Sequence, residues 1–243
     1  GAPPLRVLDV RSLADFEAGH VPGALHLDAS SLRATVDGIS GQVVDAASFA
    51  ALVGDAGVEP GEELVMVDDG DGLQSARAAW TFRYHQHDAV HVLDGGWPTW
   101  LAVTGSAEAG APLAAPSPYP TPDITPALRV DADWIAARLE DPGVVLIDAR
   151  TPGEYDAGHV PGAINVPWTT TKSGDPFLGV AELAALYEPT GALTADTVIA
   201  YCQTGTRASV TWLTVQIAGH ADVRLYDGSW AEWSTRPDLP QEP

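Results

Sequence analysis

Residues 9–24, DVRSLADFEAGHVPGA, have a close copy later in the chain at residues 148–163, DARTPGEYDAGHVPGA. Nine of the sixteen positions are identical. A second pair of similar stretches, VHVLDGGWPTW at residues 90–100 and VRLYDGSWAEW at residues 223–233, follows in the same order. Two matches in one order predict that the chain contains two copies of one fold.

The boundary between the copies is marked by a proline-rich stretch, GSAEAGAPLAAPSPYPTPDITP, at residues 105–126. Proline supports neither a helix interior nor a central strand, so this stretch is expected to be an extended connector. The sequence therefore predicts an N-terminal domain at residues 1–104, a Pro/Ala-rich linker at residues 105–127 and a C-terminal domain at residues 128–243.

Within each copy, short apolar runs alternate with stretches typical of helices. The runs are rich in β-branched residues, which is typical of buried parallel strands, and they lie at residues 5–10, 64–68, 90–94, 144–148 and 198–201. Helices are predicted at residues 48–56, 75–86, 130–140 and 208–218, the third of these opening on Asp131 as its N-cap. This alternation predicts an α/β fold in which each copy has a parallel sheet flanked by helices on both faces. A ligand site is then expected beyond the carboxyl ends of the strands.

Composition excludes several classes of function. The chain has 243 residues, of which 45% are hydrophobic, and no apolar run long enough to span a membrane. A net charge of −21 makes nucleic acid and membrane surfaces unfavourable partners. The N-terminal residues show no basic stretch followed by an apolar one, so a cytoplasmic location is expected. A single cysteine excludes an intramolecular disulfide.

That cysteine, Cys202, lies in the stretch VIAYCQTGTRAS at residues 198–209, where a predicted strand ends. Small residues and Gly205 allow the backbone N–H groups of the loop to turn inward and bind an anion, and a helix is expected to begin near Ala208. The N-terminal end of that helix and Arg207 both favour negative charge, so the thiol should lose its proton easily. A buried and inert cysteine is the alternative, but the strand-end position, Gly205 and Arg207 favour a reactive thiolate.

The repeat provides an internal comparison for this loop. With an offset of 133 residues, Cys202 aligns with Asp69, so the first copy has no thiol and the second copy is predicted to be the catalytic one. Asp148 and Arg150 recur in the first copy as Asp9 and Arg11, which indicates that part of their role is structural.

The paired DVR and DAR stretches, the two GHVPGA stretches, the LDGGW and YDGSWAEW closings and the CQTGTR loop together resemble the two-domain rhodanese family, which contains the thiosulfate and 3-mercaptopyruvate sulfurtransferases. The resemblance implies two tandem rhodanese-like domains, the first of them degenerate, and a persulfide intermediate on Cys202. It also implies that the loop residues Gln203, Thr204, Gly205, Thr206 and Arg207 surround the persulfide, and that Asp148 and Arg150 lie beside the site. Two further candidates do not come from the resemblance. Trp230 is expected near the loop because of the fold, and Arg77, in the helix after the equivalent loop of the first copy, is expected to assist anion binding.

The chemistry expected of such a site is a sulfur transfer in two steps. The Cys202 thiolate attacks the outer sulfur of thiosulfate, sulfite leaves, and the persulfide passes its sulfur to cyanide or to a thiol, including that of a thioredoxin-like partner. Arg207 is expected to attract the dianionic donor. No metal or organic cofactor is needed for this reaction.

Three alternatives stay open. A mercaptopyruvate donor is disfavoured, because enzymes that use it resemble one another in a different loop and in arginines that bind the carboxylate, whereas this chain has Glu154 at one such position. A phosphatase or arsenate reductase of the same fold needs five residues between its cysteine and arginine, and here four separate Cys202 from Arg207. A persulfide carrier without turnover needs the same loop as an enzyme.

The histidines are predicted to be structural. His20 and His159 occur in both copies although only one copy has the thiol. The pair His85 and His87 has the spacing of metal ligands, but His87 aligns with His220 as a residue at a helix end.

Overall fold

A computed structural model of the chain describes residues 5–243. These residues form two compact units. The first unit comprises the described residues up to Ala34, together with Val43–Thr125 and Gly174–Pro176, and the second comprises Thr35–Gln42, Pro126–Ser173 and Phe177–Pro243.

The first unit is built on a four-stranded parallel sheet with the strand order β2-β1-β5-β6. Its strands are β1 (Leu5–Asp9), β2 (Leu25–His26), β5 (Glu63–Val67) and β6 (Val90–Val92). Its helices are α1 (Leu13–Ala18), α2 (Ala46–Asp55), α3 (Leu73–Tyr84) and α4 (Gly96–Thr104). A separate two-stranded hairpin consists of β3 (Arg33–Val36) and β4 (Ile39–Val43). Residues 35–42 of this hairpin are part of the second unit.

The second unit is built on a five-stranded parallel sheet with the strand order β7-β11-β10-β8-β9. Its strands are β7 (Arg129–Val130), β8 (Val144–Asp148), β9 (Ile164–Asn165), β10 (Thr197–Tyr201) and β11 (Val223–Tyr226). Its helices are α5 (Ala132–Ala136), α6 (Pro152–Asp156), α7 (Val180–Tyr187), α8 (Thr206–Ile217) and α9 (Ser229–Trp233). Within residues 5–243, no helix has the length and apolarity required to cross a membrane.

The central strand of the second unit explains where the site lies. All five residues of β10 are buried, as the apolar run predicts for a strand covered on both faces of its sheet. Tyr201 at its end pairs with Asp148 at the end of β8, so the two carboxyl ends lie side by side. The residues that follow both strands are therefore close to one another.

The predicted fold class is confirmed: each copy contains a parallel sheet flanked by helices. The helix predicted at residues 130–140 is wrong in its extent, because Arg129–Val130 pairs with β11 as a strand. The predicted N-cap is confirmed, since the Asp131 carboxylate accepts a hydrogen bond from the backbone N–H of Trp134 at 2.8 Å.

The proline-rich connector is bound to the first unit. The backbone N–H of Ser117 donates to the carbonyl of Gly54, and that of Thr125 donates to the carbonyl of Tyr84. These bonds satisfy polar backbone groups that an extended segment would otherwise leave unpaired when it packs on a protein surface. The domain boundaries at residues 104 and 128 stay a prediction.

Candidate active site

The loop that contains the cysteine connects β10 to α8 in the second unit. Gly205 is the N-cap of α8 with a φ of +86°, a left-handed conformation that favours glycine. Helix α8 begins at Thr206, two residues earlier than the sequence predicts, because the left-handed Gly205 already caps it. Arg207 therefore lies in the first turn of the helix, and Cys202 lies before the positive end of a helix of 12 residues.

Hydrogen bonds connect the loop to the first residues of α9. The backbone N–H of Trp230 donates to the carbonyl of Cys202 at 3.0 Å, and that of Ala231 donates to the carbonyl of Gln203 at 3.0 Å. The N–H of Cys202 itself donates to the hydroxyl oxygen of Ser229 at 3.2 Å. These three bonds fix the first two residues of the loop.

The following amides are available to a ligand. Within residues 5–243, the backbone N–H groups of Gln203, Thr204 and Gly205 have no hydrogen-bond acceptor. Adjacent backbone N–H groups without protein acceptors are characteristic of an anion-binding loop. The side chain of Cys202 is only 1% exposed, so the sulfur is covered by its surroundings.

In the equivalent loop of the first unit, backbone amides bind the carboxylate of a residue of the loop itself. One oxygen of the Asp68 carboxylate accepts hydrogen bonds from the backbone N–H groups of Gly70 at 3.0 Å and Gly72 at 3.3 Å, and the other accepts one from Ser75 at 3.0 Å. The backbone N–H of Trp97 donates to the carbonyl of Asp68, just as Trp230 does to Cys202.

The residue equivalent to Cys202 is therefore Asp68, and the predicted equivalence with Asp69 is wrong by one position. The reason is the length of the loop, which runs over residues 68–72 in the first unit and residues 202–205 in the second. The first unit shows what such a loop does with a negative charge: it surrounds it with backbone amides.

Arg207 is held by Glu154 in a bidentate ion pair. Its two terminal nitrogens donate to the two carboxylate oxygens, each at 2.8 Å. The hydrogen bond to Glu154 raises the pKa of Arg207, burial of the guanidinium opposes this increase, and the interaction with the side chain of Cys202 adds to it. The same pair, helped by the Thr151 hydroxyl and backbone N–H, lowers the pKa of Glu154 from its usual 4.5 to about 2. Attraction of a donor by Arg207 stays a prediction, and a donor would have to compete with Glu154.

Asp148 and Arg150 form a buried pair that is repeated in the first unit. Arg150 donates to both oxygens of Asp148 and to the carbonyl of Gly158, with its guanidinium 4.8 Å from the centre of the Trp230 ring. The first unit contains the same arrangement, in which Arg11 donates to Asp9 and to the carbonyl of Gly19 and lies against the ring of Trp97. This repetition supports the structural part of their predicted role, while contact of Asp148 or Arg150 with a substrate stays a prediction.

The remaining predicted site residues are placed as follows. Thr206 is the buried first residue of α8, and Gln203 and Thr204 are half-buried loop residues. Trp230 lies in α9 and reaches the site through its backbone N–H, while its ring packs on Arg150. Arg77 lies fully buried in α3 of the first unit, with its guanidinium 4.8 Å from the centre of the Trp80 ring. Its part in anion binding stays a prediction.

Ser229 is the functional-site residue that the sequence analysis missed. It is fully buried and has a φ of +53°, a conformation that is strained for a residue other than glycine. The equivalent residue in the first unit is Gly96, with the same φ of +53°. The signal was present in the sequence, because LDGGW in one copy corresponds to YDGSW in the other. The hydroxyl oxygen of this serine accepts the hydrogen bond from the N–H of Cys202.

The histidines have structural surroundings. The rings of His20 and His159 stack on Phe16 and Tyr155 with centres 3.7 Å apart. Each ring also hydrogen-bonds the carbonyl of its stacking partner and thus ties a turn to the preceding helix. Within the part of the chain that the structure describes, no group of three His, Cys, Asp or Glu side chains is arranged to hold a metal ion.

Comparisons with known proteins agree with this fold. The family model described as "Rhodanese-like domain" matches residues 1–103 and 131–236. A thiosulfate sulfurtransferase of Pseudomonas aeruginosa is 34% identical over 253 residues, covering 100% of this chain and 92% of that protein. The sulfur carrier protein TtuD of Thermus thermophilus is 29% identical over 260 residues, covering 98% of this chain and 90% of that protein.

Among solved structures, the anaerobic ergothioneine biosynthesis enzyme from Chlorobium limicola has a TM-score of 0.89 at 20% identity. The match covers 100% of this chain and 65% of that one, so this chain spans about two thirds of that protein's length. At this identity the likeness shows the fold alone.

Fold and site together define an α/β protein with two related domains, the second of which carries a cysteine in an amide-lined loop. The chain belongs to the rhodanese family, with two rhodanese-like domains. Sulfur transfer is the class of chemistry that this membership supports, since the relatives named above are a sulfurtransferase and a sulfur carrier.

Proposed function

We propose that this protein is a thiosulfate sulfurtransferase that carries the transferred sulfur as a persulfide on Cys202. The observation that carries the proposal is the position of Cys202 at the end of β10, followed by three backbone amides that have no acceptor among the described residues. The first unit supports it, because its equivalent loop surrounds the carboxylate of Asp68 with amides.

The reaction needs only a nucleophile and a means of stabilising a negatively charged sulfur. The thiolate of Cys202 attacks the outer sulfur of thiosulfate, the sulfur–sulfur bond of the donor breaks, and sulfite leaves with the bonding electrons. The persulfide anion that remains has the same charge as the thiolate it replaces, so the same amides stabilise both. Cyanide or a thiol then attacks the outer sulfur and regenerates the Cys202 thiolate.

The choice of thiosulfate as donor is supported by the name of the Pseudomonas aeruginosa relative. Glu154 occupies both terminal nitrogens of Arg207, so any anionic donor, thiosulfate included, has to compete with its carboxylate there. A comparison of kcat/KM for thiosulfate and mercaptopyruvate tests this choice. A higher kcat/KM for mercaptopyruvate would contradict it.

The test of the mechanism is a steady-state assay of thiocyanate formation from thiosulfate and cyanide, with Cys202→Ser as the comparison. We expect ping-pong kinetics for the wild-type protein and a loss of at least a thousandfold in kcat/KM for Cys202→Ser, because an alcohol cannot form the persulfide. Mass spectrometry of the protein after thiosulfate treatment should show one added sulfur in the wild type only. Thiocyanate formation that persists in Cys202→Ser would refute the proposal.

A persulfide carrier is the second candidate, favoured by the similarity to the sulfur carrier protein TtuD. A carrier would load Cys202 once and then depend on a protein acceptor, such as a thioredoxin-like thiol protein. Repeated turnover with cyanide or a small thiol as acceptor separates an enzyme from a carrier. The cytoplasmic location expected from the sequence stays an expectation.

A further inference from the structure

The hairpin formed by β3 and β4 contacts the loop of Cys202, although it lies in the first repeat of the sequence. Its residues 35–42 belong to the same compact unit as the loop. The contact is made at Gly41: a Cβ atom added there would lie 2.8 Å from the carbonyl oxygen of Thr204 and 3.0 Å from its Cβ. The backbone of the hairpin therefore packs directly on the peptide group that joins Thr204 to Gly205.

Two features fix the hairpin in this position. Gly41 has a φ of +84°, a left-handed conformation that favours glycine. The close contact with Thr204 also leaves no room for a side chain at this position. The next residue, Gln42, is buried and accepts a hydrogen bond from Arg129 of β7 at 2.5 Å, while its amide donates to the carbonyl of Val36 at 3.2 Å. Consecutive residues of β4 are thus anchored to the catalytic loop and to the sheet of the second unit.

The packed peptide group has a defined orientation. A trans peptide is planar, and its carbonyl and N–H point in opposite directions. The carbonyl oxygen of Thr204 is the atom that a Cβ on Gly41 would approach most closely, so a side chain there would turn this peptide plane and with it the N–H of Gly205. That N–H is one of the three loop amides without an acceptor among the described residues.

We propose that Gly41 is a positioning residue for sulfur transfer: by packing on the carbonyl of Thr204, it holds the N–H of Gly205 in place to stabilise the anionic sulfur of Cys202. The inference rests on the proposed function for its effect on turnover. The N–H of Gly205 acts on the charge of the reacting sulfur and not on the remainder of the donor, so its displacement is expected to lower kcat and to leave KM nearly constant.

The hairpin itself supplies a matched control. Gly38 has a φ of +83°, close to that of Gly41, but a Cβ atom added there would meet nothing within 4 Å. Gly38→Ala and Gly41→Ala therefore introduce the same backbone strain in the same hairpin, and only Gly41→Ala displaces Thr204. Both variants keep Cys202, Arg207 and all loop residues.

The experiment measures kcat, KM for thiosulfate and thermal unfolding for the wild type and both variants. We expect kcat to fall at least tenfold in Gly41→Ala with KM within twofold of wild type, and both constants to stay within twofold in Gly38→Ala. Equal kcat in a folded Gly41→Ala and in Gly38→Ala would overturn the proposal. If Gly41→Ala does not fold, Gln42→Ala decides: a fall of at least threefold in kcat supports the proposal, and an unchanged kcat overturns it.

A second measurement is independent of the reaction. Cys202 is the only thiol in the chain, so iodoacetamide reports on this loop alone. We expect the alkylation rate to differ at least fivefold between Gly41→Ala and wild type, and less than twofold between Gly38→Ala and wild type. If neither the wild type nor the variants transfer sulfur but the alkylation difference is present, the proposed function fails and the positioning contact stands. If sulfur transfer is normal and the alkylation difference is absent, the positioning contact fails alone.

Discussion

At the scale of single residues, Glu154 links α6 to Arg207 in the first turn of α8. Its carboxylate accepts from both terminal nitrogens of Arg207 and from the backbone N–H and hydroxyl of Thr151, which caps the helix. These bonds favour the ionised carboxylate and lower its pKa from 4.5 to about 2. A group whose pKa is lower in the folded state stabilises that state above its unfolded pKa, and this stabilisation is lost as the pH falls through the folded pKa.

Glu154→Gln is therefore expected to destabilise the protein at pH 7 and pH 6, and to have a diminishing effect as the pH falls from 4.5 towards 2. The pair is partly exposed, so the effect at pH 7 should be no larger than about 1 kcal/mol. Urea unfolding at pH 7, 6 and 3 measures it and avoids the isoelectric point near 4.3, where the protein is least soluble.

Glu182→Gln is the matched control for this prediction. Glu182 has the same position in α7 and accepts from the backbone N–H of Gly179 at 2.9 Å, but makes no ion pair within residues 5–243. If the two variants lose equal stability at pH 7, the contribution assigned to Arg207 is wrong, and only helix capping remains.

At the scale of elements, the loop after β5 shows how the repeat without a thiol holds the corresponding loop. Asp68 is only 1% exposed, and its carboxylate accepts from three backbone N–H groups. Asp68→Asn replaces one accepting oxygen by an NH₂ group, which would then face a buried N–H donor. We expect a loss of about 1–3 kcal/mol in the free energy of unfolding, as for other buried donors without acceptors.

Asp71→Asn in the same loop provides the comparison, because the single bond from the N–H of Leu73 needs only one oxygen, which asparagine retains. Its effect on the free energy of unfolding should stay below about 0.5 kcal/mol. Chemical unfolding of both variants measures the difference. Equal losses would mean that the amides around Asp68 do not depend on its charge.

The same elements show what the sequence could predict and what it could not. Buried β-branched runs and the two copies of GHVPGA were sufficient for the parallel sheets and the end of β10, because both signals are local. The Asp37-Gly38 turn is also a local hairpin signal, with φ values of +51° and +83°. That this hairpin packs on Thr204 could not be predicted, since the contact joins residues far apart in the chain. The shift from Asp69 to Asp68 escaped for a related reason: a loop longer by one residue is visible only when the strand ends are known.

At the scale of the whole molecule, a net charge of −21 opposes the approach of an anionic donor. Three amides and a paired arginine act only at short range, whereas the summed field of the surface acts over a Debye length. That length is about 30 Å at 0.01 M salt and about 10 Å at 0.1 M. Added salt should therefore remove the remote repulsion before it weakens the local attraction at Cys202.

Alkylation of Cys202 separates the two contributions. Iodoacetate carries a negative charge and iodoacetamide is neutral, while both must reach the same sulfur, so their rate ratio cancels any effect of salt on access. We expect the ratio of iodoacetate to iodoacetamide to rise severalfold between about 0.01 M and about 0.1 M salt, as screening of the acidic surface reduces repulsion. A ratio that falls with salt would mean that the anion meets a net positive field on its way to the loop. Arg207 would then attract the donor despite its bond to Glu154.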